Sequence, residues 1–449
     1  MTDAPSRHAH LNVFVAGYGY HEAAWTLRDA PAGAIGLDHF VHVARVAERG
    51  LLDAVFFADS PGVAPFRTWF MAQAGYDPID LLSALVPTTE HIGLLATAST
   101  TYSNPWDLAR RFATLDHLSD GRAGWNVVTT GSPVAAGNFA LDAHPAHADR
   151  YERAGEFVDV VRAVWDGWED DAVVASTSTG EWADRTKLHP PAHVGEHFRV
   201  AGILPFPRSP QGHPLLTQAG SSPAGIDLAG RTADVVFTPQ PTLEDGVAFR
   251  SRLHHAARSH GRSPDHVRAW PGLSFVLGST EAEAAAAWAQ LEGASSEEFR
   301  LRNLLHVAGV PPTLFDGIDP DGAFPFEVFD HSNSTTFGAA VVRTAREHGL
   351  TFRQTAHRFS TLPGGLHVTG TPEQLADLIE QWWRAGAADG FTLQPLRLPL
   401  DLELFVDHVV PLLQRRGVTA TEYGSGTLRD RLGLPRPPGL GPRTGTVGA

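Results

Sequence analysis

The stretch HIGLLATASTTYSNPWDLARRFATLDHLSDGRAGWNVVTT, residues 91–130, decides the fold. It opens on IGLLA at 92–96 and closes on AGWNVV at 123–128, two short apolar runs. A strand buried on both faces reads this way, without polar alternation. Between them, 105–118 begins with Pro105, which suits a first helical turn, and carries Arg110 and Arg111. Strand, helix and strand in that order form one unit of a parallel sheet.

The same unit recurs outward from this centre. Upstream, the runs LNVFVA at 11–16 and AVFFA at 54–58 flank a segment, 38–49, with Phe40, Val43, Ala44 and Ala47 at helical spacing and Gly50 closing it. Residues 79–86 read as another helix. Downstream come an amphipathic helix at 149–165 and strands at 214–218, 235–237, 273–277 and 391–393, the last followed by a helix around 402–414. About eight strands, most followed by a helix, predict an α/β fold of the TIM (β/α)8 barrel type, with chemistry on the loops at the carboxyl ends of the strands. A doubly wound sheet is the alternative.

Residues 1–433 read as one barrel domain with two insertions. The first, at about 170–200, is polar and turn-rich and reads as a hairpin or lid after the fourth helix. The second, at about 293–370, lies between strands seven and eight. It has helical pieces at 297–306, 336–347 and 351–358 and is expected to cover the open end of the barrel. Residues 434–449 form a Pro/Gly-rich tail, expected to be mobile or draped over the surface.

Composition narrows the function. With 35 Lys+Arg against 50 Asp+Glu the formal charge is −15, the wrong sign for a general nucleic-acid binder. There is no cysteine, hence no disulfide and no thiolate chemistry. No apolar run is long enough to span a bilayer, and MTDAPSRHAH lacks the apolar centre of a secretory signal, so a soluble cytoplasmic protein is expected.

Several familiar motifs fail. His21-Glu22-Ala23-Ala24-Trp25 lacks the second His of a zinc-protease helix, and no metal site is expected. Gly17-Tyr18-Gly19 has Glu22 where a dinucleotide fingerprint needs its third glycine. Gly220-Ser221-Ser222-Pro223-Ala224-Gly225 is not a nucleophile elbow, and no Walker loop is present.

Four segments fall where a barrel presents ligands. Asp59 follows the second strand, as a helix cap or a ligand group. Thr97, Ser99, Thr100 and Thr101 follow the third, as a hydroxyl cluster for a polar ring edge or as a turn laced by side-chain-to-backbone bonds. Asn126, with Thr129 and Thr130 behind it, sits in a buried strand, where an unpaired amide is costly. After the fifth strand, Gly220 permits close approach, Ser222 suits an N-cap and Pro223 a first helical position, so the turn can hold an anion or simply start a helix. His147 and Tyr151, four apart, fall on one helix face. Arg150 and Arg153 add positive potential or pair with Glu152 and Glu156. Trp69, Trp106, Trp125 and the Phe-rich stretch 324–329 leave open a roomy aromatic pocket and ordinary core packing.

Taken in order, GYHEAAW, AERGLLDAVFFAD, the 91–130 stretch, HADRYERAGEF, HPLLTQAGSSPAGIDLAGRTADVVFT and GTPEQLADLIEQWWRAGAADGFTL give the chain a wider resemblance. It resembles the flavin-dependent monooxygenases of the bacterial-luciferase-like superfamily, over about residues 10–415. The branch is that of nitrilotriacetate monooxygenase component A, dibenzothiophene-sulfone monooxygenase and the pristinamycin synthase large subunit. The resemblance implies a barrel that binds FMN non-covalently, receives it reduced from a separate NAD(P)H:flavin reductase, and uses O2 to oxygenate a small organic substrate through a flavin (hydro)peroxide. It also implies a homo-oligomer, dimer or tetramer.

By the same resemblance, Asp59 lies near the isoalloxazine, Thr97 is the hydroxyl after the third strand, and Asn126 is the polar residue beneath the ring. His147 and Tyr151 approach the phosphate and ribityl side, Gly220, Ser221 and Ser222 form the phosphate loop, and His21 faces the substrate. His21 and Asn126 are the candidates for the chemistry, with His331 and His367 behind them. The chain departs from the family where Trp25 is followed by Thr26 rather than Arg, Arg28 coming two further on, and where Thr130 replaces a Ser. The rival readings are a deazaflavin-dependent oxidoreductase, a non-catalytic flavin carrier and, since Asp59 has no evident carboxylate partner, least of all a glycosidase.

Overall fold

The computed structural model describes residues 8–27, 35–72, 75–330, 335–359 and 365–439. Around 91–130 the expectation holds: β3 (Gly93–Ser99), α4 (Pro105–Leu118) and β4 (Ala123–Val128) form one unit of the barrel. Asn104 caps α4 by accepting from the amides of Trp106 and Asp107, and Pro105 occupies its first turn. Before it lie β1 (His10–Phe14), α1 (Leu37–Arg49), β2 (Ala54–Phe57), α2 (Pro65–Phe70) and α3 (Pro78–Leu85). After it come α5 (His147–Trp165), β5 (Leu215–Ala219), α6 (Pro223–Thr232), β6 (Val235–Thr238), α7 (Leu243–Ser259) and β7 (Arg268–Leu277). The chain continues through α8 (Glu281–Ala294), α9 (Glu297–Val307), α10 (Phe326–Phe329), α11 (Thr335–His348), α12 (Phe352–Phe359), β8 (Leu366–Gly370), α13 (Pro372–Arg384) and β9 (Gly390–Pro395).

β1 to β7 follow one another around a parallel cylinder, and β9 closes it between β7 and β1. These eight are the strands anticipated above. β8 is a ninth, paired in parallel with Leu273–Leu277 of β7 on the side that β6 occupies lower down. The second insertion therefore ends by adding a strand to the rim. Its helices enclose a core of their own that includes Leu304, Phe324, Phe329 and Phe352.

Alternation along each strand separates two environments. Leu94, Ala96 and Ala98 of β3 face the helices, whereas Leu95 joins Phe56, Leu215, Val235 and Trp270 inside the barrel. Leu428, Leu432 and Leu434 plug the base of that interior, so the tail begins as a packed element. Its next residues are held by Arg436 pairing with Asp170 and by Pro437 accepting from Arg208. Above the apolar floor the interior turns polar, with Asn12, Thr97, Asn126, Thr217 and Thr392 all buried. Barrel interiors are ordinarily filled by branched apolar side chains.

The first insertion forms two antiparallel hairpins, Val173–Ser176 with Glu181–Ala183 and His193–Val194 with Arg199–Val200. No described helix is long and apolar enough to cross a membrane.

Candidate active site

The chain leaves each strand at the same end of the cylinder, so residues within or just past the later parts of β2, β3, β4 and β5 form a continuous arc. Neighbouring strands stand about 4.8 Å apart, and three such steps give an arc of about 14 Å. At one end is Asp59, half-buried. Burial, then the charge of Asp77, pushes its carboxyl above the ordinary range. Next to it Thr97 faces the interior, with Asn126 and Thr217 level with it by register. Asn126 Nδ2 donates to Thr97 Oγ1 at 2.9 Å, and Thr217 Oγ1 donates to Asn126 Oδ1 at 3.5 Å. The buried amide is thus satisfied by a ladder across three strands, which fixes its orientation.

The far end of the arc is the turn into α6. Gly220 has φ +155°, a backbone that side-chain-bearing residues rarely adopt. Ser222 caps the helix by accepting from Gly225 N at 3.1 Å, and Ser221 is half-buried beside it. α5 starts at His147, and Tyr151 follows one turn later with the two rings 4.7 Å apart. A Cβ added at Gly225 would stand 3.2 Å from Tyr151 Oη, so the phenol lies against the turn. His147, Tyr151, Gly220 and Ser222, widely separated in sequence, converge here.

A cavity of about 660 Å³ opens beside the Asp59 end, lined by Asp59, Thr97, Ser99, Tyr102, Asn138 and Arg111 among others. It does not reach the α6 turn. Two of its neighbours carry no signal in sequence: Tyr102 stacks on Phe139 at 4.6 Å and its hydroxyl meets His144 Nδ1 at 2.8 Å, across 42 positions.

The remaining hydroxyls are laces. Ser99 Oγ accepts from Thr130 Oγ1 and from the amides of Thr101 and Tyr102. Thr100 and Thr101 donate to the carbonyls of Val128 and Thr129. Arg150 does not pair with Glu152; its Nη1 grips the carbonyls of Thr129 and Thr130 at 3.2 and 2.5 Å. Arg153 lies 4.3 Å over the Phe198 ring, and Glu156 instead accepts from His193 and from the amides of His197 and Phe198. The aromatic-pocket alternative fails for most of its members. Trp125 is fully buried outside the barrel, Trp106 donates to the Gly202 carbonyl just past the first insertion, and Phe324 and Phe329 pack the core of the second insertion. Trp69 is 61% exposed. A grouping missed in sequence brings Glu152, Glu196 and His197 within 4.8 Å, close enough to hold a cation.

His21 lies apart from the arc, in the loop after β1, and is 1% exposed. Its Nδ1 accepts from Ala23 N at 3.1 Å and its Nε2 faces Glu292 Oε1 at 3.5 Å. Trp288 separates it from His367, with ring centroids 6.2 and 4.7 Å away respectively. Burial pushes His367 down to about 4. His331 and Arg28 lie outside the described residues.

Residues 19–389 match the luciferase-like monooxygenase family. The chain is 42% identical over 435 residues to the N-acetyl-S-(2-succino)cysteine monooxygenase of Bacillus subtilis (strain 168), covering 95% of this chain and 97% of that protein. It is 42% identical over 433 residues to nitrilotriacetate monooxygenase component A of Aminobacter aminovorans, covering 93% and 95%. A crystal structure of riboflavin lyase with modified FMN and riboflavin superposes with a TM-score of 0.84 at 31% identity, covering 95% of this chain and 96% of that one. With a closed parallel barrel and a family match over most of its length, this chain belongs to the luciferase-like monooxygenases.

Proposed function

We propose that this protein is the oxygenating component of a two-component system. It takes reduced FMN from a separate NAD(P)H:flavin reductase and uses O2 to oxygenate a small organic substrate. The observation that carries the reading is the meeting of Tyr151 and His147 with the Gly220–Ser222 turn at one end of an arc whose other end is Asp59. The donors at that turn are hydroxyls, an imidazole and helix-start amides, a set suited to a phosphate dianion. The polar interior at Thr97, Asn126 and Thr217 suits a heteroaromatic ring with hydrogen-bonding edges.

When bound, reduced FMN supplies the activation of O2; the protein supplies the setting. Tyr151, His147, Ser221, Ser222 and the α6 amides hold the phosphate. Asn126, fixed by its ladder, and Asp59 and Thr97 beside it would offer hydrogen-bonding groups to the flavin ring. The second insertion excludes water: α9 rests on α2 through Phe66, Phe70 and Phe299. His21 holds or moves a proton beside the substrate. A homo-oligomer is part of the reading, in keeping with exposed Val174 and Trp182 on the first hairpin.

The test is turnover with a flavin reductase, NADH, FMN and O2. Substrates begin with succinylated thioethers and aminopolycarboxylates, then sulfones, alkanes, halogenated aromatics and flavin-like heterocycles. The expected readout is a product one oxygen atom heavier. His21→Ala should abolish product while leaving reduced-flavin binding intact. Flavin binding with no substrate-dependent oxygen consumption across the series would favour a carrier.

A further inference from the structure

His21 is 1% exposed and packs against the Trp288 ring, yet a carboxylate lies near each of its ring nitrogens. Its Nδ1 accepts from the Ala23 amide, so the proton of the neutral ring sits on Nε2 and points at Glu292. Glu292 lies in the last turns of α8, 271 positions away. Its Oε2 accepts from Arg300 Nη1 at 2.7 Å, and Arg300 Nη2 donates to the Glu292 carbonyl at 2.7 Å. Arg300 is 2% exposed. Burial alone would raise the Glu292 carboxyl, but hydrogen bonds from His21 and Arg300, with their charges, hold it down at about 2. The other charged groups facing this ring are Glu22, whose Oε2 is 3.6 Å from Nδ1 and which is bonded to Ser295, and Arg67, which acts on Glu22. His367, beyond Trp288, completes the set and is neutral above about pH 4.

Burying the Arg300 guanidinium against a carboxylate that is itself 26% exposed is a poor way merely to fasten two segments together, since apolar side chains of the same volume do it as well or better. A carboxylate that fixes the tautomer of an imidazole and accepts its N–H is, by contrast, how acid–base histidines are oriented. We propose that Glu292, itself held by Arg300, is a positioning residue that sets the tautomer and proton affinity of His21, so that the α8–α9 segment is part of the acid–base apparatus and not a cover alone. A second proton enters at Nδ1, displacing the Ala23 amide, with Glu22 Oε2 as its acceptor. The catalytic arm of this inference rests on the function proposed above; the electrostatic arm does not.

The experiment follows the His21 imidazole by ¹H–¹⁵N NMR in the flavin-free protein, assigned by its loss in His21→Ala. In Glu292→Gln the midpoint of its titration is expected to fall by about one pH unit or more, the usual effect of losing an adjacent opposite charge. In Arg300→Met it is expected to move up, because the carboxylate is then no longer neutralised. Glu292→Asp should recover part of the shift. His367→Gln, which removes a neighbour that is neutral across the range, should leave the midpoint in place. A structural clasp would not produce opposite signs at 292 and 300. Unmoved midpoints, or shifts of the same sign in both variants, would overturn the proposal. If Glu292→Gln does not fold, Arg300→Met and Arg300→Lys carry the same test, with the upward shift expected only in the first. With reductase and substrate present, the acid limb of kcat should shift with the NMR midpoint while KM stays within a factor of about three. A shifted midpoint with an unshifted rate profile would retain the electrostatic coupling and remove His21 from the reaction.

Discussion

Replacing Gly220 by alanine separates the phosphate site from the rest of the barrel. The residue holds φ +155°, and a Cβ there would stand 3.6 Å from Tyr151 Oη and 3.8 Å from Gly225 Cα, ordinary contact distances. There is room for the methyl, so the penalty is conformational. A backbone reserved for glycine costs a side-chain-bearing residue about 1–3 kcal/mol. The turn either bears that strain, lowering stability by this amount, or relaxes and withdraws its amides from the phosphate. Loss of one hydrogen bond to a charged group is worth about 1.5–3 kcal/mol, a weakening of about 10- to 150-fold. Gly137→Ala, at a position with nothing within 4 Å, serves as the control. The assay is urea denaturation together with titration of FMN and of riboflavin by flavin fluorescence. Where Gly220→Ala keeps wild-type stability because the turn has relaxed, FMN affinity should fall by the stated factor, whereas riboflavin, lacking the phosphate, should change by less than about threefold. Equal weakening of both flavins, or unchanged FMN affinity in a turn shown to have moved, would refute the reasoning.

Three further outcomes are expected. Burial, aided by Arg67 for His306, pushes His306 and His367 down to about 4, so the unfolded chain binds more protons than the folded one between their ordinary value and that figure. Stability is therefore full above about pH 6.5 and falls as the pH drops through 4, by roughly 3 kcal/mol for each histidine, and His306→Gln and His367→Gln should each flatten the decline in a pH series of urea melts. Thr392 is 1% exposed and its Oγ1 has no hydrogen-bond partner, so Thr392→Val should stabilise the flavin-free protein by about 1 kcal/mol; a loss of that size would mean the hydroxyl is satisfied. Arg150→Met removes the grip on Thr129 and Thr130 and should cost about 2 kcal/mol while raising proteolysis near residue 130; wild-type stability would show that the loop holds itself.

The barrel was legible because its strands are buried on both faces: AVFFA at 54–58 or IGLLA at 92–96 admits little else. β8 escaped notice for the complementary reason. LHVTG at 366–370 has His367 and Thr369 bonded to each other on one face, and nothing in it announces a core strand. At the site, Asp59, Thr97, Asn126 and Ser222 could be read because strand ends and helix starts are local features. Tyr151 followed from its spacing to His147. Tyr102 with His144 and His21 with Glu292 could not be read, since only the closed fold brings groups so far apart in sequence together. The aromatics show a different gap: Trp125 and Phe324 look alike in sequence as pocket walls and as packing, and only the side of the sheet or the insertion they face decides.

The central claim is that the Gly220–Ser222 turn, with Tyr151 and His147, grips the phosphate of FMN while the ring lies over Asn126. A crystal structure of the FMN complex tests this directly. The predicted result is a phosphate within hydrogen-bond distance of the Tyr151 hydroxyl and the amides of Ser221, Ser222 and Ala224, with the ring edge against Asp59 and Thr97. Clear density for FMN elsewhere, with that turn unliganded, would contradict the account.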